Sequence, residues 1–501
     1  MFQNPLFPGD PGTFIKGTKA FRKNRINISN VVAEKKERRN VMETFGLLSL
    51  IPVAIIVILA LWTKDTFISI LIGVLSAFLI IAHGNPLNAF NGFVDSLYTT
   101  LCDDGTVWVL MLCGLFGSLI KLLQESGGVL GFTHLAQKVL KGRKSSMVGA
   151  WILGIIVFVD DYLNCLAVGA AVRDITDKNK LSREMLAYIV NSTGVTVCAI
   201  IPFTTWSAYM GGLMKKSGMI EQGSSVLSTY IDTIPFVLYG WLAVIFVPLF
   251  CLKIVPLFGP MKKAEKRALE TGEVFSKEAK EALVELPDEE TKFEGKSCRA
   301  INFLAPIILV AILTITTEDI LIGLFAGIGL SFVMYIPQRL MSVKKFFNYI
   351  LDGLVDMFPL LILIIVSYCL IDANDQMGLI DFVTGAALDT VTPALLPVTI
   401  FVVIGLLSFA AGSFWGLAAI AFPIVVPLAD ALGSNPLLCA GALISAVCFG
   451  GHICIYSDTV ILTAASTQTT PAEYFRTSGP LVAVPAILAV ILFTVFGFIM
   501  S

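Results

Sequence analysis

Two adjacent carboxylates, Asp160 and Asp161, lie inside an apolar stretch that begins WILGIIVFVDDYLNCLAVGAAV. The apolar segments on either side are each about 10–12 residues long, too short for a helix to cross a hydrocarbon core of about 30 Å. Each carboxylate would cost about 2.5–3.5 kcal/mol at the centre of that core unless it faces protein, water or a cation. The pair therefore predicts a hairpin that turns inside a membrane around an ion site. The alternative is a surface loop between two short helices.

More polar residues follow at helical spacing. Asn164 lies four residues after Asp160, so the two side chains share one helix face. Downstream, NSTG (191–194) and IPFTTWS (201–207) interrupt the next apolar segment. Pro202 removes a backbone N–H and hydroxyls follow it, as is typical where a helix breaks against a cavity. A single polar residue there would more often bridge two helices than bind a ligand.

Composition excludes several classes of protein. Hydrophobic residues make up 56% of the 501 residues, far too many for a soluble domain of this size. The net charge of −2 gives no indication of a nucleic-acid partner, and the 10 cysteines form neither a disulfide framework nor a zinc motif. The chain has no nucleotide-binding glycine motif and no nucleophile elbow. We therefore predict no cofactor and no enzyme activity, and we expect an ion gradient to supply the energy.

The second half of the chain repeats the first. Phe90 and Asp95 match Phe347 and Asp352 at one constant offset, and three further blocks match at nearly the same offset. The tip FVDDYLN corresponds to FAAGSFW (409–415), which lacks the carboxylates. The break IPFTTWS corresponds to GGHICIYSDT (450–459), which contains an acid. The predicted divisions are a basic N-terminal tail (1–45), a first transmembrane repeat (46–256), a charged cytoplasmic linker (257–299) and a second transmembrane repeat (300–501).

Loop charges predict how the repeats are oriented. Placing the Lys- and Arg-rich loops in the cytoplasm makes the first hairpin enter from the cytoplasm and the second from outside. We therefore predict an all-α polytopic membrane protein of two inverted repeats, each with scaffold helices, a re-entrant hairpin and a broken transmembrane helix. Further expectations are an interfacial amphipathic segment at 86–101, a broken span at about 184–214 and one long span at about 228–252.

The stretch VFVDDYLNCLAVGAAVRDITDKNKLSREMLAYIVNSTG resembles the signature region of NhaC-type sodium/proton antiporters, within the ion transporter superfamily. The resemblance is strong over 151–214, moderate over 398–466 and weak in the tail and linker. It implies a substrate site between two hairpin tips, and relatives of similar fold move amino acids or dicarboxylates. The positions that match the polar signature of the family are Asp160, Asp161, Asn164, Asn191, Ser192 and Thr193.

The residues themselves predict two cation sites, because Na⁺ is a hard cation that favours oxygen ligands. Two adjacent carboxylates in a low dielectric do not both ionise easily, so proton and Na⁺ are expected to compete for the same oxygens. The first predicted site consists of Asp160, Asp161, Asn164, Thr204, Thr205 and Ser207. The second predicted site consists of Gly412, Ser413, Ser457, Asp458 and Thr459.

Other residues near the breaks are candidates for substrate binding or coupling. His452 lies well inside an apolar stretch, where it is either a pH switch or a quiet hydrogen-bonded residue. Aromatic side chains flank the polar breaks, either as packing or as the wall of a cavity, in which case they favour an organic substrate. With the signature residues above, the candidates are Tyr162, Asn191, Ser192, Thr193, Trp206, Trp415, His452 and Tyr456.

Three functions remain open at this point. The first is Na⁺/H⁺ antiport by alternating access, in which Na⁺ is the transported or coupling ion. The second is Na⁺- or H⁺-coupled transport of a small organic solute such as an amino acid or a carboxylate. The third is an intramembrane aspartyl protease that uses Asp160 or Asp161 with Asp458. In the first two cases we expect the inner membrane of a prokaryote, contact with lipid and a homodimer through scaffold helices near 86–101 and 343–353.

Overall fold

The computed structural model describes residues 45–500, except for 64–65, 129–130, 132–139, 221–224, 277–278, 280–298, 318, 380–381, 383–390, 413 and 456. Every regular element within these ranges is a helix. Residues 1–44 of the basic tail and about half of the charged linker lie outside the described residues, as do the candidate residues Ser413 and Tyr456.

The helices of the first half and of the linker are α1 to α11, and those of the second half are α12 to α19. In chain order they are α1 (Leu50–Thr63), α2 (Thr66–Ile81), α3 (Pro86–Leu101), α4 (Asp104–Glu125), α5 (Arg143–Ile156), α6 (Asp161–Lys178), α7 (Arg183–Ile200), α8 (Thr205–Lys216), α9 (Val226–Thr233), α10 (Leu238–Cys251), α11 (Gly259–Thr271), α12 (Ile301–Thr317), α13 (Ile320–Tyr335), α14 (Val343–Gln376), α15 (Leu396–Ala411), α16 (Phe414–Leu432), α17 (Pro436–Ile453), α18 (Asp458–Thr467) and α19 (Pro471–Met500).

The chain is a multi-pass membrane protein. Among the described residues, six helices are long and apolar enough to cross a membrane, or up to nine if each bent pair of helices counts as one span. Large apolar side chains such as Ile58, Ile315 and Ile487 point outward and are more than half exposed. Helices are stable in a membrane because their backbone N–H and C=O groups bond to each other, and lipid chains offer these groups no hydrogen-bond partners.

Three pairs of helices are bent at short breaks. The predicted amphipathic segment is α3, which turns by 119° from α2 after an Asn85 cap. The predicted broken span is α7 and α8, which bend by 44° across residues 201–204. The prediction of one long span at 228–252 was wrong, because a short 3-10 turn containing Pro235 separates α9 from α10 and bends the chain by 58°. Pro235 cannot donate the backbone hydrogen bond that a continuous helix would need.

Long helices of the two halves pack against each other in the scaffold. α4 and α14 pack closely where Gly117 meets Gly353, and a Cβ atom at Gly117 would overlap the carbonyl oxygen of Gly353. A side chain at either position would therefore push the two helices apart. α14 also packs on α2 and α3, and α12 pairs with α13.

The hairpins and broken helices form a second group. The hairpin α5–α6 packs on α7, and α6 also packs on α18. The hairpin α15–α16 packs on α17, and the second break separates α17 from α18. That the two halves share one order of hairpin, broken helix and closing helix remains a prediction from the sequence. The opposite orientation of the halves in the membrane remains a prediction from loop charges.

Part of the linker is helical and is held by ion pairs. On α11, Glu265 accepts hydrogen bonds from Arg143 of α5 and from the backbone N–H and hydroxyl of Ser182. Two residues further on, Arg267 Nη2 lies 2.9 Å from a carboxylate oxygen of Glu184, which is only 2% exposed. These contacts fix α11 against the ends of the first hairpin and of α7.

Candidate cation site between the first hairpin tip and the second helix break

The first hairpin turns at residues 157–160, and Asp160 begins its second helix. α5 ends at Ile156, and Asp160 has extended backbone angles and caps α6. The Asp160 Oδ1 atom accepts a hydrogen bond of 3.0 Å from the backbone N–H of Leu163, one of the helix donors that otherwise lack a partner. The local sequence therefore places one carboxylate at the cap and the next, Asp161, in the first turn, where the helix dipole favours negative charge.

The first helix break is hydrogen-bonded to this tip. Thr205 donates from its Oγ1 atom to Asp160 Oδ2 over 3.0 Å, and its backbone N–H donates to the carbonyl of Val159. Thr204 and Ser207 instead bond to each other's backbone and cap α8. Of the three hydroxyls predicted for this site, Thr205 is the one that contacts a carboxylate, while Thr204 and Ser207 shape the break.

Asp161 and Asn164 present buried oxygens that have no hydrogen-bond partner. Both side chains are 0% exposed, and the unpartnered atoms are both carboxylate oxygens of Asp161 and the Oδ1 atom of Asn164. The Nδ2 atom of Asn164 donates to two carbonyls at the end of α5, which fixes the amide with its oxygen pointing the other way. The indole N–H of Trp206 is also unpartnered, and it lies near Asp161 without reaching hydrogen-bonding geometry.

The second helix break brings a third carboxylate to the same place. Tyr162 donates a hydrogen bond of 2.9 Å from its hydroxyl to Asp458 Oδ2, 296 residues along the chain. The same hydroxyl accepts a bond of 3.3 Å from the indole Nε1 of Trp415 in the second hairpin tip. Asp458 is also close enough to Asp161 for their charges to interact. The structure thus joins residues from the two sites predicted separately, and Tyr162 connects three elements.

The remaining residues of the second break mainly build its backbone. Ser457 caps α18 and donates from its hydroxyl to the carbonyl of Gly451, and its Oγ lies 3.5 Å from that of Thr459. Gly412 ends α15 with φ +71°, a left-handed conformation that glycine adopts without strain. Asp458 is the exposed acid of this break, in contrast to the buried pair of the first tip.

Three predicted residues, Asn191, Ser192 and His452, belong to a separate buried network between α7 and α17. His452 is bonded through Nδ1 to the Tyr239 hydroxyl at 2.7 Å and through Nε2 to the Ser192 hydroxyl at 3.0 Å. The amide of Asn191 donates to the carbonyl of His452 and to the hydroxyl of Tyr474. Thr193 donates to carbonyls of its own helix. In this conformation both ring nitrogens of His452 are occupied within the network.

Aromatic rings join the two hairpin tips and the first break. The rings of Trp206 and Phe414 are stacked with centroids 5.1 Å apart, and Trp206 and Trp415 lie at 5.2 Å. Tyr209 packs edge-on to Trp415 at 5.0 Å and donates from its hydroxyl to the carbonyl of Trp415. Tyr162 and Trp415 are therefore both packed and close to carboxylates.

Sequence reasoning missed the partners of these residues. Tyr239 and Tyr474 bond to His452 and Asn191, yet each is a single tyrosine in an apolar segment with no local pattern around it. The ion pair between Arg267 and Glu184 was also missed, because its members are far apart in the sequence. Only the charged composition of the linker pointed to such contacts.

The arrangement offers oxygen ligands to a hard cation or a proton. None of the ion pairs among the described residues involves Asp160, Asp161 or Asp458, so their charge is not balanced by Lys or Arg. The described residues also contain no group of three or more His, Cys, Asp and Glu side chains arranged to hold a metal ion. The chemistry is that of carboxylate and amide oxygens, which favour alkali and other hard cations over transition metals.

Comparison with known proteins identifies the family. The sequence model described as the Na⁺/H⁺ antiporter family matches residues 197–498. The chain belongs to the Na⁺/H⁺ antiporter family. This confirms the resemblance seen in the sequence and makes the protein a secondary transporter of a family whose ions are Na⁺ and H⁺. It is not an enzyme, and the protease alternative is set aside.

Two relatives are similar to this chain in sequence. An uncharacterized protein of Haemophilus influenzae is 26% identical over 497 residues, covering 90% of this chain and 91% of its own length. The malate-2H⁺/Na⁺-lactate antiporter of Bacillus subtilis is 24% identical over 199 residues, covering 36% of this chain and 42% of its own.

Two solved transporters share the fold of this antiporter-family protein at low sequence identity. Neisseria gonorrhoeae MtrF, described among a class of antimetabolite efflux pumps, has a TM-score of 0.52 at 13% identity and covers 84% of this chain and 86% of its own. The YdaH transporter of Alcanivorax borkumensis, described as having an unusual topology, has a TM-score of 0.54 at 14% identity. The match covers 84% of this chain and 90% of the YdaH chain. At such identities they bear on the fold alone.

Proposed function

We propose that this protein exchanges Na⁺ for H⁺ by alternating access, with both ions competing for Asp161. The observation that carries the proposal is the buried, unpartnered carboxylate of Asp161 beside the unpartnered oxygen of Asn164. A buried carboxylate without a partner is costly, and it is neutralised either by a proton or by a bound cation. Because either ion neutralises the carboxylate, Na⁺ and H⁺ bind to it in turn, which is the minimum chemistry for antiport.

In this proposal Asp160 and Asp161 have different roles. Asp160 already accepts bonds from Leu163 and Thr205 and holds the tip to the break. Asp161 has both oxygens free to bind, and together with the Asn164 oxygen it offers three ligands to one cation. Asp458 adds nearby negative charge that strengthens cation binding, and Tyr162 positions it.

The transport step would move the hairpins and broken helices against the scaffold. The tips and breaks are joined to one another by Thr205, Tyr162 and Trp415, so they form one group that can move together. The scaffold would be the helices around the close contact of α4 with α14. Movement of this group would expose Asp161 first to one side and then to the other.

A second candidate is coupled transport of a small organic solute on the same fold. It is favoured by the half-buried Tyr162, which contacts Asp458, and by Trp415, which contacts the Tyr162 hydroxyl, since ligand sites for organic molecules are commonly lined by aromatic rings. The name of the Bacillus subtilis relative also couples two organic acids to Na⁺ and H⁺.

The proposal extends to the location and assembly of the protein. Basic loops on one face fit the inner membrane of a prokaryote by the positive-inside rule. Exposed apolar side chains on α3, such as Phe90 and Tyr98, and on α14, such as Phe347 and Leu351, offer a surface for a scaffold homodimer. Crosslinking of cysteines introduced at positions 90 and 347 would test this contact.

The test is flux in proteoliposomes that hold the purified protein and a pH-sensitive dye. Addition of Na⁺ outside should make the interior alkaline, because internal H⁺ leaves as Na⁺ enters, and Asp161→Asn should abolish the response. Li⁺ and K⁺ serve as comparison ions. A response that requires an added amino acid or carboxylate would favour the second candidate. Normal exchange by Asp161→Asn would refute the proposed site.

A further inference from the structure

The site is acidic and partly open to water. Asp160 and Asp161 are buried, whereas Asp458 is exposed although it begins a helix in the middle of an apolar segment. A carboxylate that faced lipid would be costly, so we expect the open side of Asp458 to face water. The exposed carboxylate of Asp458 and the buried, unpartnered oxygens of Asp161 therefore belong to one acidic centre, of which Asp458 is the accessible part.

Aromatic rings flank the open carboxylate. The hydroxyl of Tyr162 contacts Asp458 directly, and the indole of Trp415 contacts that hydroxyl. Trp206 lies 5.2 Å from Trp415 between centroids and is close to Asp161. Carboxylates beside tyrosine and tryptophan rings bind organic ammonium ions, because the N⁺ group pairs with the acid while the ring faces attract its positive charge.

The charges argue against an organic anion. A dicarboxylate would add two negative charges to a centre that already holds three carboxyl groups, and no ion pair with Lys or Arg is present there in the described part of the chain. Like charges at these separations repel strongly in a low dielectric. The organic solute that fits this centre is therefore a cation.

We infer that a small organic ammonium ion binds between Asp458, Tyr162 and Trp415 in competition with Na⁺. The inference rests on the proposed function, since it assigns a further substrate class to the same acidic centre. The N–H groups of the ammonium ion would donate hydrogen bonds to Asp458. After the ion moves inward, they would donate to the free oxygens of Asp161. The methyl or methylene groups would lie against the rings of Tyr162 and Trp415.

The test is displacement of ²²Na⁺ from the purified full-length protein in detergent, where leakage of amines across a membrane plays no part. Methylammonium, K⁺ and the potassium salt of malate are compared at constant ionic strength. Methylammonium should displace Na⁺ at a concentration at least about tenfold lower than K⁺, and malate should have no effect beyond that of its K⁺. If methylammonium is no better than K⁺ while ²²Na⁺ still binds, the inference fails and the proposed function stands. If ²²Na⁺ does not bind at all, both fail.

Substitutions at Trp415 and at a control position distinguish the loss of ring contacts from a general loss of structure. Trp415→Leu should raise the methylammonium concentration that displaces half of the bound ²²Na⁺ by about threefold to tenfold, after correction for any change in Na⁺ affinity. Trp415→Tyr, which keeps a ring, should recover most of that loss. Phe475→Leu is the matched control, because its ring stacks on Phe409 and contacts none of the three carboxylates. Equal loss in Trp415→Leu and Phe475→Leu would overturn the assignment.

Discussion

Neutralising Asp161 should make the Na⁺-free protein more stable, which is the opposite of what removal of a structural acid does. The carboxylate is 0% exposed and neither oxygen has a hydrogen-bond partner, so Asp161→Asn breaks no side-chain hydrogen bond and loses only the smaller attraction of the helix dipole for the carboxylate. The substitution removes the cost of holding a carboxyl group inside the membrane, about 2.5–3.5 kcal/mol on insertion scales. We expect a gain of that order in detergent, which should increase as the pH rises because Asn needs no proton.

The neighbouring acid provides the matched control. Asp160→Asn makes the same chemical change one residue away, but Asp160 accepts hydrogen bonds from Leu163 and Thr205. Asn remains a good helix cap, so the expected effect is a loss of about 1 kcal/mol through the weakened bond to Thr205. Two adjacent carboxylates should therefore respond with opposite signs.

Thermal unfolding in detergent, with Na⁺ replaced by K⁺ at constant ionic strength, measures both effects. At a Na⁺ concentration about 100 times the dissociation constant, wild-type protein should gain about 2.7 kcal/mol from Na⁺. Asp161→Asn should start from a higher midpoint and gain nothing from Na⁺. The reasoning is refuted if Asp161→Asn is less stable than wild type without Na⁺, or if Na⁺ still stabilises it.

Three further predictions concern the contacts around the site. Tyr162→Phe removes the hydroxyl that holds Asp458, and a hydrogen bond to a charged group is worth about 1.5–3 kcal/mol. Dye-monitored exchange should therefore slow by about tenfold or more while the protein stays folded. An unchanged rate would contradict the positioning role of Tyr162. Asn164→Ala leaves two backbone carbonyls at the end of α5 without hydrogen-bond donors and should lower the free energy of unfolding by about 2–4 kcal/mol. A loss below about 1 kcal/mol would show that the Asn164 amide does not hold the hairpin tip. Arg267→Gln leaves the buried Glu184 without its charge partner and should lower stability by about 2 kcal/mol, and Glu184→Gln in the same chain should recover most of that loss in a double-mutant cycle.

Local features of the site could be predicted from the sequence. Pro202 and the hydroxyls after it predicted a break at residues 201–207, and the break lies at 201–204, within that range. The amphipathic pattern of 86–101 gave α3 with its correct bounds, because an Asn–Pro pair starts a helix through side-chain capping and a fixed φ. The apolar composition likewise predicted a helical multi-pass membrane protein.

Features that depend on distant residues could not be predicted. The repeat indicated that Asp458 lies in a helix break, but it did not indicate that Tyr162 bonds to it, since this contact depends on how α6 packs against α18. For the same reason, the partners of His452 on α7 and α10 were invisible in the sequence. The bend between α9 and α10 was missed because Pro235 is compatible with a continuous but kinked helix as well as with a break.

Calorimetry of Na⁺ binding in two buffers of different ionisation enthalpy tests most directly whether Na⁺ and H⁺ compete for Asp161. The difference in heat gives the number of protons released for each Na⁺ bound by the purified protein. The account predicts release of about one proton at a pH where Asp161 is protonated in the absence of Na⁺, and neither Na⁺ binding nor proton release in Asp161→Asn. Tight Na⁺ binding with no proton release across the pH range of transport, or unchanged release in Asp161→Asn, would contradict it.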